Sequence, residues 1–141
     1  MNKINFRRVL LGGLVAGLIL NAGEFLLNGI ILGPHIAEDM KRMNITPPGN
    51  GFAALAISLT FVFAIMAILF YAMARARLGP GPKTALVAAL ILWFCVYAYS
   101  GTVNMLLINV PPKFILIVLA WGIVEYPLGI LAGAALYKEN I

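Results

Sequence analysis

Asn21, Glu24 and Asn28 place a carboxylate and two amides inside GLILNAGEFLLN, residues 17–28, a stretch that otherwise has the composition of a membrane span. At spacings i, i+3 and i+7 the three side chains project from one face of a helix. A carboxylate in hydrocarbon costs roughly 2.5 to 3.5 kcal/mol on insertion scales, so Glu24 must face protein, water or a ligand. A second carboxylate, Glu125, lies in WGIVEYPLGILAGAALYKE, where Trp121, Glu125, Gly129 and Gly133 follow one another at four-residue steps. Pro127 in that run removes a backbone donor and frees a carbonyl about one turn earlier, near Ile123. Trp93, Tyr97, Ser100 and Asn104 form a further stripe at i, i+4, i+7 and i+11, which predicts that Tyr97, Ser100 and Asn104 face a neighbouring helix.

No intramembrane lysine or arginine is present to neutralise the two glutamates, Lys138 falling at the end of the last run. If the carboxylates meet in a dry site they cannot both stay ionised, and they share a proton or hold a cation. In that case Glu24 and Glu125 bear the charge, while Asn21, Asn28, Asn104, Ser100, Tyr97 and Tyr126 complete the lining. The alternative is that each glutamate is protonated and bonds separately to an asparagine, a tyrosine or the freed carbonyl, gluing helices together.

Other chemistry has less behind it. His35, the single histidine, follows Pro34 in a loop; it reads as a surface residue, with a pigment or haem ligand, or a metal site with Glu38 and Asp39, as the alternatives. Trp93, Trp121, Tyr97 and Tyr126 are able to flank a flat cofactor, yet membrane spans are often aromatic. The sequence names no metal and no cofactor. No nucleophile with a base partner, glycine-rich phosphate loop or paired-histidine motif is present, so nothing points to an enzyme.

The elements that carry these residues follow from composition. Of 141 residues 62% are hydrophobic and 11% charged, far to the apolar side of an ordinary soluble domain. Apolar runs near residues 9–32, 52–74, 84–108 and 113–137 each exceed the ~20 residues that a helix needs to cross the bilayer core. Helix is required, because backbone groups in lipid must pair within their own segment. The expected fold is therefore all-α, a four-transmembrane-helix bundle forming one integral membrane domain over 1–141. The amino-terminal NKINFRR with its apolar run has the outline of a secretory signal, but the run continues through Phe25, Leu26 and Leu27, so a retained first span is expected.

The net charge of +5 sits at span ends rather than on an extended basic face, which argues against a nucleic-acid partner. Lys3, Arg7, Arg8, Arg75, Arg77, Lys83 and Lys138 fall on one side of a four-span arrangement, and Lys41, Arg42 and Lys113 on the other. By the positive-inside rule both termini and the middle loop are cytoplasmic, in a multi-pass protein of a bacterial-type inner membrane.

Between spans one and two, HIAEDMKRMNITPPGNG puts Ile36, Met40 and Met43 at i, i+4 and i+7, which predicts a short amphipathic helix at the outer membrane surface. Pro47 and Pro48 then forbid helix, and Asn50 is placed to cap span two. Ser58 and Thr60 in span two are expected to bond their own backbone, leaving that span as scaffold. Pro82 and Pro112 suit the first turns of spans three and four. Glycine pairs at 13/17, 29/33 and 129/133 suggest close helix contacts, and the lone Cys95 reads as a packing residue. With each span centred on its run, Asn21 and Glu125 come near the midplane, Glu24 and Ser100 roughly 5 Å outward, and Asn28 and Asn104 roughly 10 Å outward.

The ALVAALILWFCVYAYS span, Asn104-Met-Leu-Leu ahead of the PPKFILI turn and the closing ILAGAALY helix resemble a group of small four-span bacterial membrane proteins catalogued only as a domain of unknown function. An opening span ending in Leu32-Gly33 and a polar outer loop add to the resemblance. It implies the four-span architecture and assigns neither activity nor site residues. Two functions stay open: an outward-lying pocket formed by spans one, three and four that binds a cation, proton or small polar ligand, with a transport role requiring a homo-oligomer, or an accessory subunit of a larger membrane complex.

Overall fold

The computed structural model describes residues 4–139; Lys3, one of the basic residues in the charge pattern, lies outside them. The first span opens with α1, Phe6–Glu24, capped by the Asn5 side chain, which accepts from the Arg8 amide at 3.2 Å. It continues as a π-helical stretch over Phe25–Ile31. A short α2, Gly33–Arg42, follows with Pro34 in its first turn. The second span is α3, Asn50–Leu78, and the third runs from α4, Pro82–Trp93, through a π-helical stretch Phe94–Gly101 into α5, Thr102–Leu107. The fourth is α6, Pro112–Ala135, helical through Pro127. Among the described residues four helical spans are long and apolar enough to cross a membrane, within a few residues of the runs expected.

Packing follows the rule for helices in lipid, small residues inside and large ones outside. Ala16, Ala64, Ala67, Ala85, Ala88 and Ala89 are buried around Leu20, Ile68 and Ile130, while Leu18, Phe25, Leu59 and Leu116 are exposed, as a lipid-facing surface requires. The backbones of α1 and α6 meet at Gly12 and Gly133, where a Cβ on either would lie 2.5 Å from the other's carbonyl oxygen. Gly13 and Gly17 lie against Ile65 and Phe61 of α3, and Gly129 against Leu20. Two of the three glycine pairs therefore mark close approaches. Gly29 and Gly33 meet no other helix.

The first and last described residues and the α3–α4 turn share one end of the bundle. There the Asn5 amide donates to the Tyr137 hydroxyl at 3.4 Å and Arg75 pairs with Glu139 at 3.1 Å. At the opposite end Arg42 of α2 donates to the Ile108 carbonyl at 3.0 Å and pairs with Asp39 at 2.9 Å. The His35 ring lies on Phe114, centroids 4.1 Å apart, so His35 serves as a packing group for α2. Residues 50–59 of α3 are exposed apart from half-buried Ala56, which leaves the bundle open along this helix near the loop end.

Besides His35, which packs from a helix instead of lying on the surface of a loop, three local readings change. Gly49, not Asn50, caps α3, and Asn50 is its first helical residue. Cys95 is exposed rather than packed, because it stands two residues before buried Tyr97, on the opposite face of the helix. Ser58 and Thr60 do bond their own helix, at 2.8 and 3.0 Å to the Ala54 and Ala56 carbonyls, but α3 is more than scaffold, since it supplies one wall of the cavity described next.

Candidate functional site

The two glutamates meet through a tyrosine. The Tyr97 phenol oxygen lies 2.7 Å from Glu24 Oε1 and 2.8 Å from Glu125 Oε2, joining spans one, three and four at mid-height. Glu125 is 5% exposed and Tyr97 6%. The Asn28 amide donates to the other oxygen of Glu24, Oε2. Glu125 Oε1 is buried without a partner among the described residues.

Hydrogen counting sets the protonation of this cluster. A phenol carries one hydrogen and accepts through its lone pairs, so Tyr97 can donate to only one of the two carboxyl oxygens. The other contact requires a carboxylic-acid O–H that donates to the phenol oxygen; otherwise two lone-pair-bearing oxygens would face each other at under 3 Å. At least one glutamate is therefore protonated in this geometry. Glu24 receives two donors, Tyr97 and Asn28, the environment that suits a carboxylate. Glu125 has one bonded oxygen and one bare buried oxygen, an arrangement costly for a charge and tolerable for a neutral acid.

Backbone shape makes room for the cluster. Gly23, next to Glu24, lies against the Glu125 carboxyl, and any Cβ there would overlap Oε1. Gly122 is to Tyr97 what Gly23 is to Glu125: its Cβ would lie 2.6 Å from ring atom Cδ2. Both are positions whose clearance the cluster needs and that spacing alone missed; the available signal was a glycine beside, or one turn from, each acidic residue. π-Helical backbone begins immediately after Glu24 and contains Tyr97, in line with the frequent use of π-helical turns at functional sites.

The remaining candidates divide. Tyr126 packs its ring edge-on to Tyr97, centroids 5.1 Å apart, and also contacts Phe63 at 5.4 Å. Asn21 stays apart, donating to the Gly17 carbonyl at 2.9 Å and the Ile57 carbonyl at 3.4 Å, where it ties α1 to α3. Ser100 and Asn104 are exposed, and the Asn104 amide donates to the Ser100 carbonyl at 2.8 Å within its own span. The stripe fails because the π-helical stretch advances by roughly 80° per residue instead of roughly 100°, rotating Ser100 and Asn104 away from the face of Tyr97. Trp93 pins α4 to α6 through its indole N–H and the Leu119 carbonyl at 3.1 Å, while the Trp121 indole nitrogen is buried without a partner among the described residues.

Beside the cluster a cavity of about 260 Å³ is bounded by Leu20 and Glu24 of α1, Thr60 and Phe63 of α3, Val96 and Tyr126. Exposed Leu59 and Val96 form its rim. Among the described residues no three His, Cys, Asp or Glu side chains are placed to hold a metal ion. Comparison with protein-family models, curated proteins and solved structures finds no match for this chain.

Proposed function

We propose that this is a proton-binding membrane bundle, in which Glu24, Tyr97 and Glu125 hold an exchangeable proton at mid-membrane for coupling to ligand binding or passage. The observation that carries this reading is the single phenol hydrogen shared between two short contacts, 2.7 and 2.8 Å, to carboxyl groups on different spans. Glu125 carries the proton and Glu24 the charge. Tyr97 lies between the acids as a relay, since its hydroxyl can donate to either side as the proton moves. The excess of lysine and arginine at the end with the α3–α4 turn supports an orientation with both termini in the cytoplasm and the polar loop with α2 outside, in a membrane of bacterial inner-membrane type.

Infrared spectroscopy of the carboxyl groups tests this directly. The chain has only five acidic side chains, so its protonated-carboxyl signal is simple. The wild-type protein should show a carboxylic-acid C=O band at neutral pH that Glu125→Gln removes and Glu24→Gln leaves in place. Absence of that band, or its survival in both variants, overturns the proposal.

Exposed Asn28, Ser100 and Asn104 favour a second reading for that surface. Amides and a hydroxyl on a lipid-facing surface are better placed against protein, which supports a second copy or a larger membrane complex as partner.

A further inference from the structure

The geometry points to the cavity beside Glu24 as a binding site for an organic ammonium cation, with the Glu24 carboxylate as counter-ion and the Phe63 and Tyr126 rings as its aromatic walls. This rests on the proton-binding reading in one respect: the proton resides on Glu125, so Glu24 is the ionised member facing the cavity. Charge is the first observation. No lysine or arginine lies in the spans near Glu24, and its bonded partners, Tyr97 and Asn28, are neutral, so its charge is uncompensated. In a medium of low polarity that charge favours a cation strongly.

Shape and lining narrow the class. At about 260 Å³ the space exceeds what a bare metal ion or a few waters require, and its walls are mostly carbon. Thr60 gives its hydroxyl hydrogen to the Ala56 carbonyl, and among the described residues Glu24 is the one carboxylate in the lining, with no group of three His, Cys, Asp or Glu side chains to replace the hydration shell of a small inorganic ion. An alkyl- or aryl-ammonium needs no such shell. It gains from ring faces and a single carboxylate, a combination seen in sites for quaternary ammonium groups. The rim formed by Leu59 and Val96 admits an apolar substituent from the lipid side.

The test uses benzyltrimethylammonium and its neutral carbon isostere, neopentylbenzene, on the full chain in nanodiscs, with binding followed by calorimetry. Saturable binding of the cation, at least ten-fold tighter than the isostere, is expected. Equal binding of the two, which would indicate a greasy crevice, or binding of neither overturns the assignment. Glu24→Gln should abolish the preference for the cation, and Phe63→Leu, which keeps the apolar volume, should weaken cation binding about three- to ten-fold. Discs with and without phosphatidylcholine identify the source: competition by the choline lipid marks a headgroup, and its absence a free amine. If cation binding fails while the carboxylic-acid band persists, only this site is refuted; if the band is missing too, the proton-binding reading falls with it.

Discussion

Replacing Tyr97 by phenylalanine removes one oxygen and keeps the ring that packs on Tyr126. Both carboxyl contacts, at 2.7 and 2.8 Å, are lost, and Glu125 is left with neither oxygen bonded. In water-soluble proteins a hydrogen bond to a charged group contributes about 1.5 to 3 kcal/mol. Interhelical bonds in membranes measure lower, about 0.6 kcal/mol on average and about 1.7 at most, because the separated helices find other partners. Two such bonds plus an orphaned buried acid give an expected loss of about 2 kcal/mol. Unfolding in mixed micelles titrated with a denaturing detergent measures it, and the infrared acid band, shifted to higher frequency as its O–H loses a partner, reports the local change. Tyr126→Phe is the control, since the Tyr126 hydroxyl makes no hydrogen bond among the described residues; it should cost under about 0.5 kcal/mol. Equal effects from the two substitutions, or an unshifted acid band in Tyr97→Phe, would refute the bridge.

Glycine substitutions should separate by position. Gly23→Ala and Gly122→Ala, which collide with the Glu125 carboxyl and the Tyr97 ring, should destabilise by about 1 to 3 kcal/mol and perturb the acid band; Gly12→Ala should destabilise to a similar extent and leave the band alone. Gly29→Ala meets only the Phe25 ring of its own helix at 3.5 Å and should be neutral or stabilising by up to about 1 kcal/mol in the same unfolding assay. Arg75 lies 5.1 Å from the Tyr137 ring centroid and pairs with Glu139, so Arg75→Ala should cost about 1 to 2 kcal/mol, with loss of salt sensitivity at that end of the bundle. In a Cys95→Ser background, an impermeant maleimide should label Gly49→Cys from outside intact cells and Lys83→Cys only after lysis; the reverse pattern would invert the orientation assigned from charge.

The span pattern was legible in the amino-acid sequence for a simple reason. Hydrocarbon imposes length, composition and helical hydrogen bonding on every segment that crosses it, and those constraints act residue by residue. The same local rule singled out Glu24 and Glu125, since an ionisable group in such a segment must find a partner inside the bundle. Helical spacing also identified Gly13 with Gly17 and Gly129 with Gly133 as contact faces, because their backbone there is ordinary α-helix.

Where the backbone leaves that geometry, spacing misleads. Tyr97 faces its neighbours as the spacing predicts, but the π-helical stretch around it turned Ser100 and Asn104 outward, a rotation that no reading at 3.6 residues per turn reveals. The bridging position of Tyr97, the clearance at Gly23 and Gly122 and the aromatic wall supplied by Phe63 depend on how three or four helices approach one another. Which groups a buried acid must satisfy is written in its own chemistry; which group stands within 3 Å of it is decided by the packing of distant segments, and only the tertiary structure contains that.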